Sequence, residues 1–455
     1  MPIGDLNVPV IGKNVVIGVL VQTHVLIATF ILGSALIAPT AEYLGMITKQ
    51  KRYERFARNL ARFIVLLFAS GGALAIAFVL ALITLFPVFF SYLQNIFFWV
   101  FIFEAFLFLG VIIVIYAWYN TWDKLAYRKT VHIVFGFVAG GIGLIQMTMI
   151  DVVASYMLTP SEAPIQDVAR TYLDPTFIPL NMHRFVGNFS YVGFLIAGWA
   201  GWRYLRSTKE EDREYYDWMG HWGLLWGFGF MLLQPVIGYG YLKAIREASP
   251  KAFDVMMLGN EAWHFNVLMV LLAILGISSV AYFVHKLRFA VKPMETTRKI
   301  TIGALGFTAL FSILNVIPFT GNIAPQVGLV FGNSQIPLGA MYPWKFIGLI
   351  GLMLVGFVAV GLYLKASATG FHWGRASRWS QYMLIVCAVT IVLTMVDMGS
   401  ARESARRLDN NPGYLINGCI TLNQKITPKT CPAGDSLLKG VKNNGGSAVP
   451  GSSGK

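Results

Sequence analysis

Charge is scarce in this chain. Only 13% of its 455 residues are Asp, Glu, Lys or Arg, against the roughly 25% usual in soluble domains. Together with 56% hydrophobic residues and a mean hydropathy of +0.61, that shortage excludes an ordinary soluble domain and fits a polytopic membrane protein. Cysteine is scarcer still. Cys387, Cys419 and Cys431 are the only three, so a four-thiolate iron–sulfur site cannot be built, and no C-x-x-C-H segment exists for covalent haem attachment. Any redox centre must be held by other ligands. Acidic residues number 22 against 36 Lys and Arg, a balance that would suggest nucleic acid in a soluble protein. Here the cations sit in short segments between apolar runs, where they orient helices, so no nucleic-acid partner is expected.

What the sequence does have is long apolar runs. The first, Val15 to Ala38, carries no formal charge and spans roughly 30 Å as a helix, the hydrocarbon thickness of a bilayer. Its leader lacks a basic stretch and the run is too long for a signal peptide, so it is expected to remain in the mature protein. After it, Lys49 to Arg62 bring six basic residues, which places that segment in the cytoplasm and the N-terminus outside. Further spans are expected near residues 63–86, 96–119 and 131–158, then from His183 to the segment RYLRSTKEEDRE, and near residues 218–242, 260–285, 300–319, 344–364 and 380–396. Pro235 is expected to kink the sixth. Counted this way, inner segments hold about 21 Lys and Arg and outer ones about six. The sequence therefore predicts an all-α polytopic membrane helical bundle of about ten transmembrane helices, with both termini outside. Residues 1–400 form the transmembrane haem-binding domain in this reading. Residues 401–455 form an exported tail with a disordered end, in which Cys419 and Cys431 could close a disulfide.

The polar residues inside the apolar runs fall at one depth. His24, Glu104, His183, His264 and Met269 lie on helices that enter from outside, and Asp151 and Asp397 on helices that leave there. His and Met are the side chains that hold haem iron axially, and an intramembrane carboxylate such as Glu104 is costly enough to imply a use. Glu261 and Asp397 sit near the interface, where a solvated state is expected. The same holds for His221 and His285 at the inner boundary and for His372 in an inner loop. His132, also near the inner end, is a candidate for a proton uptake route.

The order and sidedness of several segments resemble subunit I of the cytochrome bd-type oxidases. They are His24 in QTHVLIATFILGSALIAPTAEYLG, Glu104 in FIFEAFLFLG, His132 in VHIVFGFVAGGIG, SYMLTP, His183 in NMHRFVGNFSYVGFLIAG and Met269 in HFNVLMVLLAILGISSVAYF. The resemblance implies that His24 ligates a high-spin haem, with Glu104 in the same region as a catalytic group. It also implies that His183 and Met269 hold a low-spin b haem. One or more b haems are expected, with haem d as a further candidate. The donor would be quinol or a c-type cytochrome, and the product water from oxygen. Partners would be a second membrane subunit of the subunit II type or other respiratory-complex subunits, in a bacterial cytoplasmic membrane. The chain departs from the family pattern in three places. About 16 residues, Lys243 to Leu258, stand where a long hydrophilic quinol-binding loop belongs; no second glutamate follows Glu104; and Asp397 stands nearest to a late glutamate motif. The alternative is a haem-bearing electron relay without oxygen chemistry. A transporter is a poorer fit, because no paired interrupted segments occur in matching halves.

Overall fold

The structure, a computed structural model, describes residues 12–159, 172–257, 261–316 and 343–405. Twelve α-helices account for nearly all of them: α1 (Lys13–Thr48), α2 (Lys51–Leu85), α3 (Pro87–Asn120), α4 (Lys129–Leu158), α5 (Phe177–Arg206) and α6 (Glu210–Met231), then α7 (Gln234–Ala248), α8 (Pro250–Met257), α9 (Trp263–Lys286), α10 (Glu295–Val316), α11 (Pro343–Thr369) and α12 (Arg378–Ser404). Among the described residues the only β pairing is an isolated antiparallel bridge between Ala290 and Phe371. Nine helices there are long and apolar enough to cross a membrane. The tenth long helix, α5, carries Asn181, His183, Arg184 and Asn188 in its first turns, and their polarity is offset by packing rather than by lipid.

Local chemistry sets the helix ends. Helix α1 runs ten residues beyond the expected Ala38, through Pro39, and stops at Lys49, whose φ of 59° is left-handed. The stretch from Lys51 to Arg62, expected as a loop, is the first part of α2, since nothing in it breaks a helix. Pro87 opens α3 in the position where a missing N–H costs nothing, and the expected exit loop PVFFSYLQN becomes its first turns, bent at Phe97. Pro235 does more than kink the sixth span. Because its nitrogen cannot donate, the chain leaves α6 at Leu232 and Leu233 and restarts as α7 with the proline in its first turn. The 16-residue connection after it is also mostly helical, formed by the end of α7 and by α8. Most of the connection expected between the eighth and ninth spans, and Cys419 and Cys431, lie outside the described residues.

Helix α5 is central. It packs on α6 and α12 and also meets α1, α4 and α7, while α9 lies between α12 and α10. Its crossing with α6 is made by glycines: a Cβ added to Gly193 would come within 2.1 Å of the Gly227 nitrogen. Only backbone against backbone fits there.

The ends of the bundle differ. At the end rich in Lys and Arg, Lys286 Nζ donates to Asp217 Oδ2 at 2.6 Å, and both side chains are fully buried. The Gly374 amide donates to the same oxygen at 2.9 Å, and Tyr204 Oη donates to the carbonyls of Gly374 and Ala376. The Arg52 guanidinium lies 5.2 Å from the Trp218 ring centre and 5.5 Å from that of Trp373. His221 corrects its expected solvated state: it is 5% exposed and bonded to Tyr363 Oη at 2.7 Å and Ser367 Oγ at 3.2 Å. The His285 Nε2 accepts from the Ser377 amide. These contacts tie α5, α6, α9, α11 and α12 together.

Candidate functional site

The opposite end gathers the expected site residues, carried by α1, α3, α4, α5, α9 and α12. Helix α4 supplies the frame, because its last three turns present a polar residue to each neighbour. Gln146 Nε2 donates to Glu104 Oε1 at 3.4 Å. Asp151, fully buried, forms an ion pair with Arg184 and accepts from Asn181 Nδ2 at 3.1 Å. The carbonyl of Ala154 accepts from Arg402, at the end of α12. Met147 Sδ receives Asn188 Nδ2 at 3.2 Å. Thus Arg184, next to His183 in sequence, is fixed on α4. On the far side, Gln22 of α1 donates to the Met395 carbonyl of α12, which brings the helix of His24 against the helix of Asp397.

The histidines divide sharply. His132 bonds Glu42 and the Trp118 carbonyl, His221 bonds Tyr363, His264 bonds Asp397, and His285 accepts from a backbone amide. His24, which meets the Gly71 backbone, and His183 differ from these four. Each has a buried Nδ1 without a hydrogen-bond partner, and so does the second oxygen of Glu104, Oε2. A buried polar atom left bare costs on the order of 1–3 kcal/mol, and these three, among the bare buried atoms of the described residues, lie on side chains able to bind iron or exchange a proton with a further group. Imidazole and carboxylate are donors that suit haem iron, and the surroundings are apolar and aromatic, as a porphyrin requires. The His24 ring stacks on Phe78 with centroids 6.4 Å apart, and His183 stacks on Tyr241 at 6.0 Å. The residues present fit a haem.

Met269 is 1% exposed and lies in a cluster with Met256, Met257, Phe253, Phe265, Ile245 and Leu158, against which Tyr241 packs. Tyr241 therefore touches both His183 and the wall that holds Met269. Sequence reasoning placed these four residues at one depth, and the structure puts His24, Glu104 and His183 near the C-terminal part of α4 and the N-terminal part of α5, with Met269 beyond Tyr241.

Asp397 and Glu261 depart from the solvated state expected of them. Asp397 is 9% exposed, its Oδ1 lies 2.6 Å from His264 Nδ1, and Glu261 Oε2 lies 3.5 Å from His264 Nε2. Because the two carboxylates take opposite nitrogens of one ring, the trio is a chain and not a chelate. Among the described residues no cluster of three or more His, Cys, Asp or Glu could hold a metal ion by itself. Sequence reasoning missed Glu42 and Asp217, two fully buried acids near helix ends, because a carboxylate beside a basic loop gives no sign of whether it faces water or the core.

Comparison with known proteins agrees with this architecture. The family described as cytochrome bd terminal oxidase subunit I matches residues 15–401. Among solved structures, a chain of the bd oxidase from Geobacillus thermodenitrificans superposes with a TM-score of 0.51 at 16% identity, covering 87% of this chain and 98% of that one. That likeness concerns the fold. No curated protein matches significantly. The expected bundle, its oxidoreductase class and its haem chemistry in general follow from the family match. This multi-pass membrane protein belongs to the cytochrome bd terminal oxidase subunit I family.

Proposed function

We propose that this chain is the haem-bearing subunit of a terminal oxidase, in which His183 and Met269 hold a low-spin b haem and His24 holds the iron of a high-spin haem beside Glu104. The observation that carries this reading is the division of the histidines: the two that family resemblance selects are the two with a bare, buried Nδ1. When bound, haem supplies one-electron transfer at the first position and oxygen reduction at the second. The chain's own residues do the rest. Phe78 and Tyr241 stack on the two imidazoles and limit their rotation. The Arg184–Asp151 pair holds α5 against α4 beside His183. Glu104, bonded through one oxygen to Gln146, presents the other as a proton donor or acceptor within the membrane.

In this reading electrons come from quinol or a c-type cytochrome at the outer face, and a second membrane subunit covers part of the bundle. The Lys- and Arg-rich end faces the cytoplasm by the positive-inside rule, in a bacterial cytoplasmic membrane. A dithionite-reduced pyridine spectrum tests the core of the proposal: haem is expected, and its absence in purified, folded protein overturns it. An absorption at wavelengths beyond those of b haem would identify haem d.

One observation favours a second reading, a haem-bearing relay that passes electrons to a partner complex without reducing oxygen. Asp397, the residue nearest to the family's late glutamate motif, is already engaged by His264, and no second glutamate follows Glu104. Oxygen uptake with a reduced donor, with and without cyanide, separates the two.

A further inference from the structure

A deeply buried acid–base pair, Glu42 with His132, lies outside the proposed haem site. Glu42 of α1 is fully buried and His132 of α4 is 1% exposed. They sit at the Lys- and Arg-rich end, Glu42 being 18 residues or roughly 27 Å along α1 from His24. His132 Nε2 lies 2.8 Å from the Trp118 carbonyl, which can only accept, so Nε2 carries a proton. Nδ1 lies 2.6 Å from Glu42 Oε1. One proton therefore occupies that bond, as imidazolium against carboxylate or as imidazole against carboxylic acid. Glu42 Oε2 is buried and has no partner.

The pair has a contact with the surface. Lys129 Nζ lies 3.2 Å from Glu42 Oε1 and 2.5 Å from Glu54 Oε1, and the Glu54 side chain is 49% exposed. Lys129, Glu54 and His132 are the charged or titratable groups beside Glu42, contributed by α4 and α2. A brace between α1 and α4 would be served as well by a neutral amide. A buried carboxylate with one bare oxygen costs more than such an amide, and the extra cost is explained by a group that changes its proton count.

We propose that Glu42 and His132 form a proton-loading pair, filled from the cytoplasmic surface past Glu54 and Lys129 and emptied through Glu42 Oε2 as protons are consumed inside the protein. This rests on the oxidase reading. Reducing one oxygen molecule to two waters takes four electrons from the donor and four protons from the aqueous phase. The pair accepts one proton at a time, gives it up toward the outer half, and returns to its starting state.

The test is Glu42→Gln in the full chain within its membrane assembly, read by reduced-minus-oxidised infrared difference spectroscopy and by oxygen uptake. The wild type is expected to show a carboxylic-acid band that is lost in the variant. Oxygen uptake is expected to fall by roughly 100-fold, the low end of what a positioned proton-transfer group contributes, with the haem spectrum unchanged. Wild-type uptake in Glu42→Gln, or a band that survives the substitution, overturns the pair. If Glu42→Gln does not assemble, Glu42→Asp keeps the acid: a shifted band supports the proposal and an unmoved one overturns it. If the wild type binds haem but consumes no oxygen, the oxidase reading fails, and the infrared band alone decides whether Glu42 exchanges a proton on reduction.

Discussion

His264 and Asp397 meet across the α9–α12 contact, with Nδ1 2.6 Å from Oδ1 and both side chains more than nine-tenths buried. The bond joins the helix of Met269 to the helix that Gln22 joins to α1, so it fixes the spacing of two proposed haem positions. Removing the imidazole strands a buried carboxylate, a change that costs about 3–5 kcal/mol in comparable pairs. His264→Ala is expected to lower the unfolding temperature in detergent more than Asp397→Asn, which keeps a hydrogen-bonding group. If Asp397→Asn instead removes a haem and leaves stability intact, the carboxylate is an iron ligand and not a helix tie.

Separate haem positions give separable losses. His24→Ala is expected to remove the high-spin haem and spare the low-spin one, whereas His183→Ala or Met269→Leu is expected to do the reverse. Reduced-minus-oxidised visible spectra and haem content per chain check this. Unaltered spectra after His24→Ala and His183→Ala would show that both ligands are misassigned.

At the other end, Lys286 and Asp217 form a fully buried ion pair. Lys286→Met alone leaves Asp217 held only by the Gly374 amide and is expected to cost about 3–5 kcal/mol. A double variant, Lys286→Met with Asp217→Leu, is expected to recover most of that loss, since neither charge is then left buried alone. A double variant no better than the single one would show that the pair does more than neutralise charge. The comparison is made by unfolding in detergent and by the yield of folded protein.

The α5–α6 crossing tolerates no side chain at Gly193. Gly193→Val is expected to push the helices apart and destabilise the protein by at least about 1–3 kcal/mol. Because α5 carries His183, the low-spin haem should be bound more weakly as well, which haem retention during size-exclusion chromatography measures. Gly110→Ala is the control, since nothing lies within 4 Å of the Cβ it would add.

Much of the fold is legible in the chain itself. Each apolar run long enough to span a bilayer must satisfy its own backbone, so runs such as Val15 to Ala38 and Phe63 to Phe86 could only be helices, and the short basic segments between them set their alternating directions. Residue chemistry also picked out His24, Glu104 and His183, together with His264, Asp151 and Asp397, because polar groups are too costly inside a membrane to be incidental, and the family resemblance added Met269. What the sequence could not decide was which of those groups are satisfied by neighbours. His264 looked as available as His183 until α12 brought Asp397 to it, and Asp217, Glu42 and His221 gave no signal of burial at all. Hydrogen-bond partners come from helices dozens to hundreds of residues apart, and their meeting depends on rotation and depth, to which a linear pattern is blind. Only the packed bundle left a buried Nδ1 bare on His24 and His183 while giving His132, His221, His264 and His285 partners.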